Sequence, residues 1–205
     1  MLSKNSTVDF PGDLSTLAAG HHSNQPELRR EKQLHEAVEM FALYLQAERD
    51  GYYGRGEALQ GEPLKTMQGY FSAELLGRVR VLELKNERVP NPWFYAVAKG
   101  KGFNSLPHLP HLASVTFLDV IVFNEKFTSR DLFHGLVHSA QVRRMGVQEF
   151  ARLFVRGFIQ TRSFFLVPLK AHAFNLDALF AANPSHPFSV EDEIDAWLRT
   201  GRYWY

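Results

Sequence analysis

T-S-R-D-L-F-H-G-L-V-H-S-A-Q-V-R-R-M-G, residues 128–146, reads as one capped, two-faced helix, and the fold follows from it. Thr128 and Asp131 form a T-x-x-D pair of the capping-box type, and Gly146 stands where a helix of this length would stop. Between them Leu132, Phe133, Leu136, Val137, Ala140 and Met145 recur at three- and four-residue steps and make an apolar side. His134, His138 and Gln141 fall at i, i+4 and i+7, a single polar stripe. A helix with such an apolar side needs a surface to pack on.

The segment before it supplies that surface. Residues 115–123, V-T-F-L-D-V-I-V-F, are β-branched, aromatic and almost wholly apolar, which predicts one nine-residue strand covered on both faces. Upstream, a helical pattern covers residues 26–50 through Leu34, Ala37, Val38, Phe41 and Leu45, with Gly51 as its stop. A second helix is expected over residues 64–76. Residues 79–89 alternate as a strand would, although a helical continuation is open. Asn91-Pro92 and residues 100–110 mark loops around a short aromatic segment, 93–98. Downstream, helices are expected over 147–160, from Pro168 to the residue before Asn183-Pro184, and over 190–199 behind a Ser189 cap and ahead of Gly201. Helices, a small sheet, then helices again make the expected class α+β, mostly helical, with the sheet preceding the histidine helix.

Composition sets the outer bounds. A chain of 205 residues, 45% hydrophobic and 22% charged, is long enough for one domain with a real core. Residues 1–26, rich in Ser, Asn, Gly and His, read as a loose arm before a single domain over 27–205, and His21-His22 within it read as a surface pair. A net charge of +1 gives no pull toward nucleic acid or an anionic membrane. Arg143, Arg144, Arg152, Arg156 and Arg162 read as solvated helix faces, with an anion site as the alternative. The absence of cysteine excludes thiolate chemistry, and no signal peptide or membrane span is recognisable, so a cytoplasmic location is expected.

The chemistry-bearing feature is H-G-L-V-H. In H-E-x-x-H, two histidines one turn apart chelate Zn²⁺ and the Glu is general base for the zinc-bound water. Here His134 and His138 keep the spacing, and Gly135 occupies the Glu position. The alternative is a pair of buried histidines with no metal. His108, His111 and His172 are the other imidazoles considered as ligands. Ser129, Ser139 and Ser163 lack a nucleophile-elbow context, and Glu191-Asp192-Glu193 read as a helix N-terminal cluster. Phe164-Phe165 and Tyr203-Trp204-Tyr205 are expected to pack in the core, with a partner-binding tail as the alternative for the latter.

Several blocks carry a wider resemblance: F-L-D-V-I-V-F-N, L-F-H-G-L-V-H-S-A-Q, G-V-Q-E-F-A-R-L-F-V-R-G-F, V-P-L-K-A-H-A-F and F-S-V-E-D-E-I. In order and spacing, over residues 90–203, they resemble a bacterial family of uncharacterised zincin-type metallopeptidases. The resemblance implies a zincin-like fold, with His134 and His138 at the two histidine-ligand positions. It places Gly135 at the position of the catalytic Glu and Lys170 at that of a Glu in P-L-E, the third ligand by analogy with gluzincins. Both acidic positions are lost. The implied protein is a degenerate metallopeptidase homologue with no active catalytic residue, retaining a cleft for a peptide along 115–123 or for a protein partner. It is expected to hold no cofactor, or zinc at low occupancy. Two alternatives are an active metal-dependent hydrolase using His134, His138 and His172, and a plain interaction protein without metal.

Overall fold

The structure, a computed structural model, describes residues 25–100 and 102–201. The expected arm through residue 24, with His21-His22, and the end Tyr203-Trp204-Tyr205 lie outside the described residues. Contacts divide the chain into two units, 1–33 and 34–205. Only the opening turns of α1 (Gln25–Tyr53) are described in the first, and every other element belongs to the second.

After α1 come β1 (Glu57–Ala58), α2 (Gly61–Met67), α3 (Ala73–Arg78), β2 (Arg80–Glu83) and α4 (Tyr95–Gly100). A 3-10 turn (Leu109–His111) leads to β3 (Ser114–Phe117) and β4 (Val120–Phe123). Then follow α5 (Ser129–Met145), α6 (Val147–Thr161), α7 (Pro168–Ala182) and α8 (Val190–Thr200). The four strands form one mixed sheet in the order β1-β2-β4-β3, with β2 and β4 parallel and the outer pairs antiparallel. The class is α+β, mostly helical, as the sequence implies.

The expected nine-residue strand is instead a hairpin. Chain direction reverses at residues 118–119, and Phe117 pairs with Val120 across a two-residue turn. Leu118 takes a φ of 57°, a left-handed conformation usually given to Gly or Asn. Asp119 holds the turn: its carboxylate accepts from Arg49 Nε at 2.7 Å and Nη2 at 3.0 Å, and its carbonyl from the Arg80 amide at 2.8 Å. Two other boundaries move. The helix expected over 64–76 is broken into α2 and α3, with Ser72 capping the second by accepting from Leu75 N. The first helix runs through Gly51 to Tyr53.

The strand half of the expectation survives in β4, which is fully buried. Its side chains alternate as strand geometry demands. Ile121 and Phe123 join the core built with Leu132, Phe133, Leu136 and Val137 of α5. Val120 and Val122 join a second core with Tyr44 and Leu45 of α1 and Phe150 of α6. With both faces of β4 covered, α5 is pressed directly onto the sheet. The capping box is formed as expected, Thr128 accepting from Asp131 N and the Asp131 carboxylate from Thr128 N, and Gly146 at a φ of 80° ends the helix.

Gly135 lies at that closest approach. A Cβ built on it would sit 2.7 Å from Ile121 Cγ2 and 3.1 Å from Cδ1. The Thr116 hydroxyl donates to its carbonyl at 3.3 Å, tying β3 to α5. Position 135 therefore faces the sheet, and glycine is what lets helix and strand come together.

Candidate functional site

The polar stripe of α5 faces the first turn of α7. Pro168 occupies the start of α7, where its missing N–H costs nothing, and this sets the register. Lys170 then points at α5. Its Nζ lies 3.2 Å from His138 Nε2 and 3.4 Å from His134 Nε2. The two imidazoles stand edge to face with centroids 4.9 Å apart. Thus the structure brings together His134, His138 and Lys170, at hydrogen-bonding distance.

A buried network fixes the His138 tautomer. The amide nitrogen of Gln141 donates to the Leu169 carbonyl at 3.1 Å, so its Oε1 faces His138 Nδ1 at 2.8 Å. That oxygen can only accept, so Nδ1 carries the proton and Nε2 offers its lone pair to Lys170. Gln141 is fully buried. Its place on the stripe was visible in the sequence, but its role depends on Leu169, which no local pattern brings near. His134 packs its ring on Phe174 at 4.6 Å, and its Nδ1 is buried with no partner among the described residues.

Burial dominates the protonation behaviour. It pushes the Lys170 amine down to about 8. Burial, with the Lys170 charge second, pushes His134 down to about 3 and His138 well below the usual imidazole range. Both imidazoles are therefore neutral acceptors at neutral pH, and Lys170 keeps its proton. The Lys170 ammonium also lies over the rings of Phe164 at 4.9 Å and Phe174 at 5.6 Å, within cation–π range. Among the described residues no carboxylate lines this region or offsets its charge.

His172 does not join the pair. Two residues past Lys170 on an unshifted helix, it faces the other way, stacks on Trp197 of α8 at 4.6 Å and 9°, and meets Gln141 Nε2 only at 3.5 Å. The three-histidine ligand set is therefore not assembled. His108 and His111 lie exposed on the 3-10 turn, beside each other and not in the cavity described below. Among the described residues no three His, Cys, Asp or Glu side chains are grouped to hold a metal. Zinc does not fit the donors present either. Zn–N bonds need about 2.0–2.1 Å and a third protein ligand, whereas a protonated amine has no lone pair and repels the cation.

The arginines are dispersed in separate contacts. Arg143 pairs with Glu74, Arg144 with Asp195 and Arg152 with Glu149, while Arg162 lies over Phe103. Phe164 packs inward over Lys170, but Phe165 is exposed, against the expectation that both are core. Glu191 accepts from the Ser72 amide at 3.0 Å, a structural tie between α8 and α3.

The histidine–lysine cluster forms one end of a cavity of about 210 Å³. Its walls are overwhelmingly apolar: Phe41 and Tyr44 of α1, Phe94, Phe117 of β3, and Phe154 and Phe158 of α6 are the large contributors. Tyr44 is buried, and its hydroxyl has no partner among the described residues. Nothing in the sequence announced this cavity, because its walls come from segments spread between residues 37 and 170. No helix among the described residues is long and apolar enough to cross a membrane. Compared with known proteins, the chain matches no family model, no curated protein and no solved structure.

Proposed function

We propose that this chain is a ligand-binding protein of degenerate zincin type, without peptidase activity, whose binding site is the apolar cavity ending at His134, His138 and Lys170. One observation carries the reading: the Lys170 amine stands between the two Nε2 atoms that a zinc ion would have to bridge. The amine supplies hydrogen bonds there and removes the Lewis acid, while Gly135 supplies no general base. What remains is a preformed apolar space with a few convergent polar groups, the usual make-up of a small-molecule site. An active hydrolase using His172 draws no support from an imidazole committed to Trp197.

A second reading, a peptide bound as an added strand, is favoured by the position of β3 at the sheet edge beside the cavity. β4 cannot take that role, because it is already paired along both its edges.

Metal analysis tests the proposal. Protein purified without a His tag or added metal is expected to carry far less than one zinc per chain. Lys170→Glu, which restores an anionic oxygen ligand, is expected to raise zinc uptake markedly. One tightly held zinc per natural chain, lost on His134→Ala, would sink the reading.

A further inference from the structure

We infer that the ligand of this cavity is a small apolar carboxylic acid, its chain or ring filling the apolar space and its carboxylate paired with Lys170. The inference rests on the binding reading above and names the class of molecule bound.

The cavity and the cluster at its end each constrain the ligand. About 210 Å³ is somewhat more than the roughly 150 Å³ cavity that accommodates a benzene molecule. That suits a single ring with a short arm, or an alkyl chain of middle length. The phenylalanine-rich wall selects an apolar body. Around Lys170, charge is unbalanced: a buried ammonium is costly unless paired, and among the described residues it has only neutral partners. His134 and His138 accept two of its three N–H groups, and the rings of Phe164 and Phe174 lie beside it. One N–H remains, and among the described residues no Asp or Glu lines the cavity to receive it. An incoming carboxylate completes both the hydrogen bonding and the charge, and charge-assisted bonds of this type are the strong ones.

The neighbouring imidazoles favour the same choice. Gln141 holds His138 with its lone pair toward Lys170, so the histidines orient the amine and do not compete for the anion. An amine-headed ligand would meet an ammonium and two acceptors already engaged. An alcohol would gain a hydrogen bond but leave the charge unmatched.

Calorimetric titration with octanoate, octan-1-ol, octylamine and acetate, at neutral pH, separates these cases. Octanoate is expected to bind at least about tenfold more tightly than octan-1-ol, a difference of about 1.4 kcal/mol, with octylamine weaker than both and acetate too small to bind measurably. Lys170→Met, close in shape and uncharged, is expected to abolish the octanoate preference while octan-1-ol still binds. Equal binding of octanoate and octan-1-ol by the natural protein would overturn the carboxylate assignment alone and leave the cavity a binding site. A preference that persists in Lys170→Met would also overturn it. Failure of all four probes to bind would overturn the binding reading with it. The comparison of probes on the natural protein stands even if the variant does not fold.

Discussion

At the scale of single residues, Gly135 carries two opposed effects. In an exposed helix interior, glycine costs about 1 kcal/mol relative to alanine, so Gly→Ala ordinarily stabilises. Here the added methyl would sit 2.7 Å from a branch carbon of Ile121, in a strand that cannot retreat because its other face is packed on α1 and α6. Overpacking of a tight core costs about 1–3 kcal/mol. Gly135→Ala is therefore expected to destabilise by roughly 1–2 kcal/mol in denaturant unfolding, and the double variant with Ile121→Ala to lose less than the sum of the two single changes. A stabilised Gly135→Ala would mean that helix and sheet do not touch at this point. The same contact gives position 135 a packing role and makes Gly135→Glu, with a far larger side chain, more disruptive still.

At the scale of elements, the turn between β3 and β4 depends on a partner 70 residues away. Asp119 is gripped by Arg49 through two parallel bonds, a half-buried fork-to-fork pair that fixes geometry as well as charge. Asp119→Ala is expected to cost about 1–2 kcal/mol, and Arg49→Lys most of that, because an ammonium cannot reproduce the planar fork. A double-mutant cycle with no coupling between positions 49 and 119 would contradict this account. This turn also explains where the sequence was hard to read. The caps of α5 and α8 and the start of α7 are local chemistry, and Thr128, Asp131, Ser189 and Pro168 announce them directly. A reversal at Leu118-Asp119 has no Gly, Asn or Pro to mark it, and its cause lies in another helix. The site divides the same way: the histidine spacing is local, whereas Lys170 meets it only through the packing of α7 on α5. The roles of Gln141, Phe164 and Phe174 appear only once α5 and α7 are packed together.

At the scale of the whole molecule, the buried imidazoles set how stability varies with pH. His134 and His172 are held down to about 3 and about 4, and His138 is also pushed well down, while an unfolded histidine titrates near 6.5. Above pH 6.5 these groups are neutral in both states and impose no penalty. As pH falls below 6.5 the unfolded chain takes up protons that the folded one refuses, so stability declines, down to the folded values. A single group lowered from 6.5 to about 4 corresponds to a loss on the order of 3 kcal/mol. The unfolding free energy is expected to drop steeply between pH 6.5 and 4, with a proton uptake on unfolding of about two or three at pH 5. A flat profile across that window would show the histidines to be solvated.

The parallel pairing of β2 with β4 has a kinetic consequence. Parallel neighbours need a long crossover, and here it runs through residues 84–119, with α4 and one 3-10 turn before β3 among the described residues. That crossover contributes Phe94, Tyr95, Phe103 and Leu109 to the cavity wall, whereas β4 lies between two cores. That part of the wall is therefore held by side-chain packing and not by strand pairing. Local opening of residues 84–113 is therefore expected at a free energy below that of global unfolding, and a bound ligand is expected to slow amide exchange there before it slows exchange in β4.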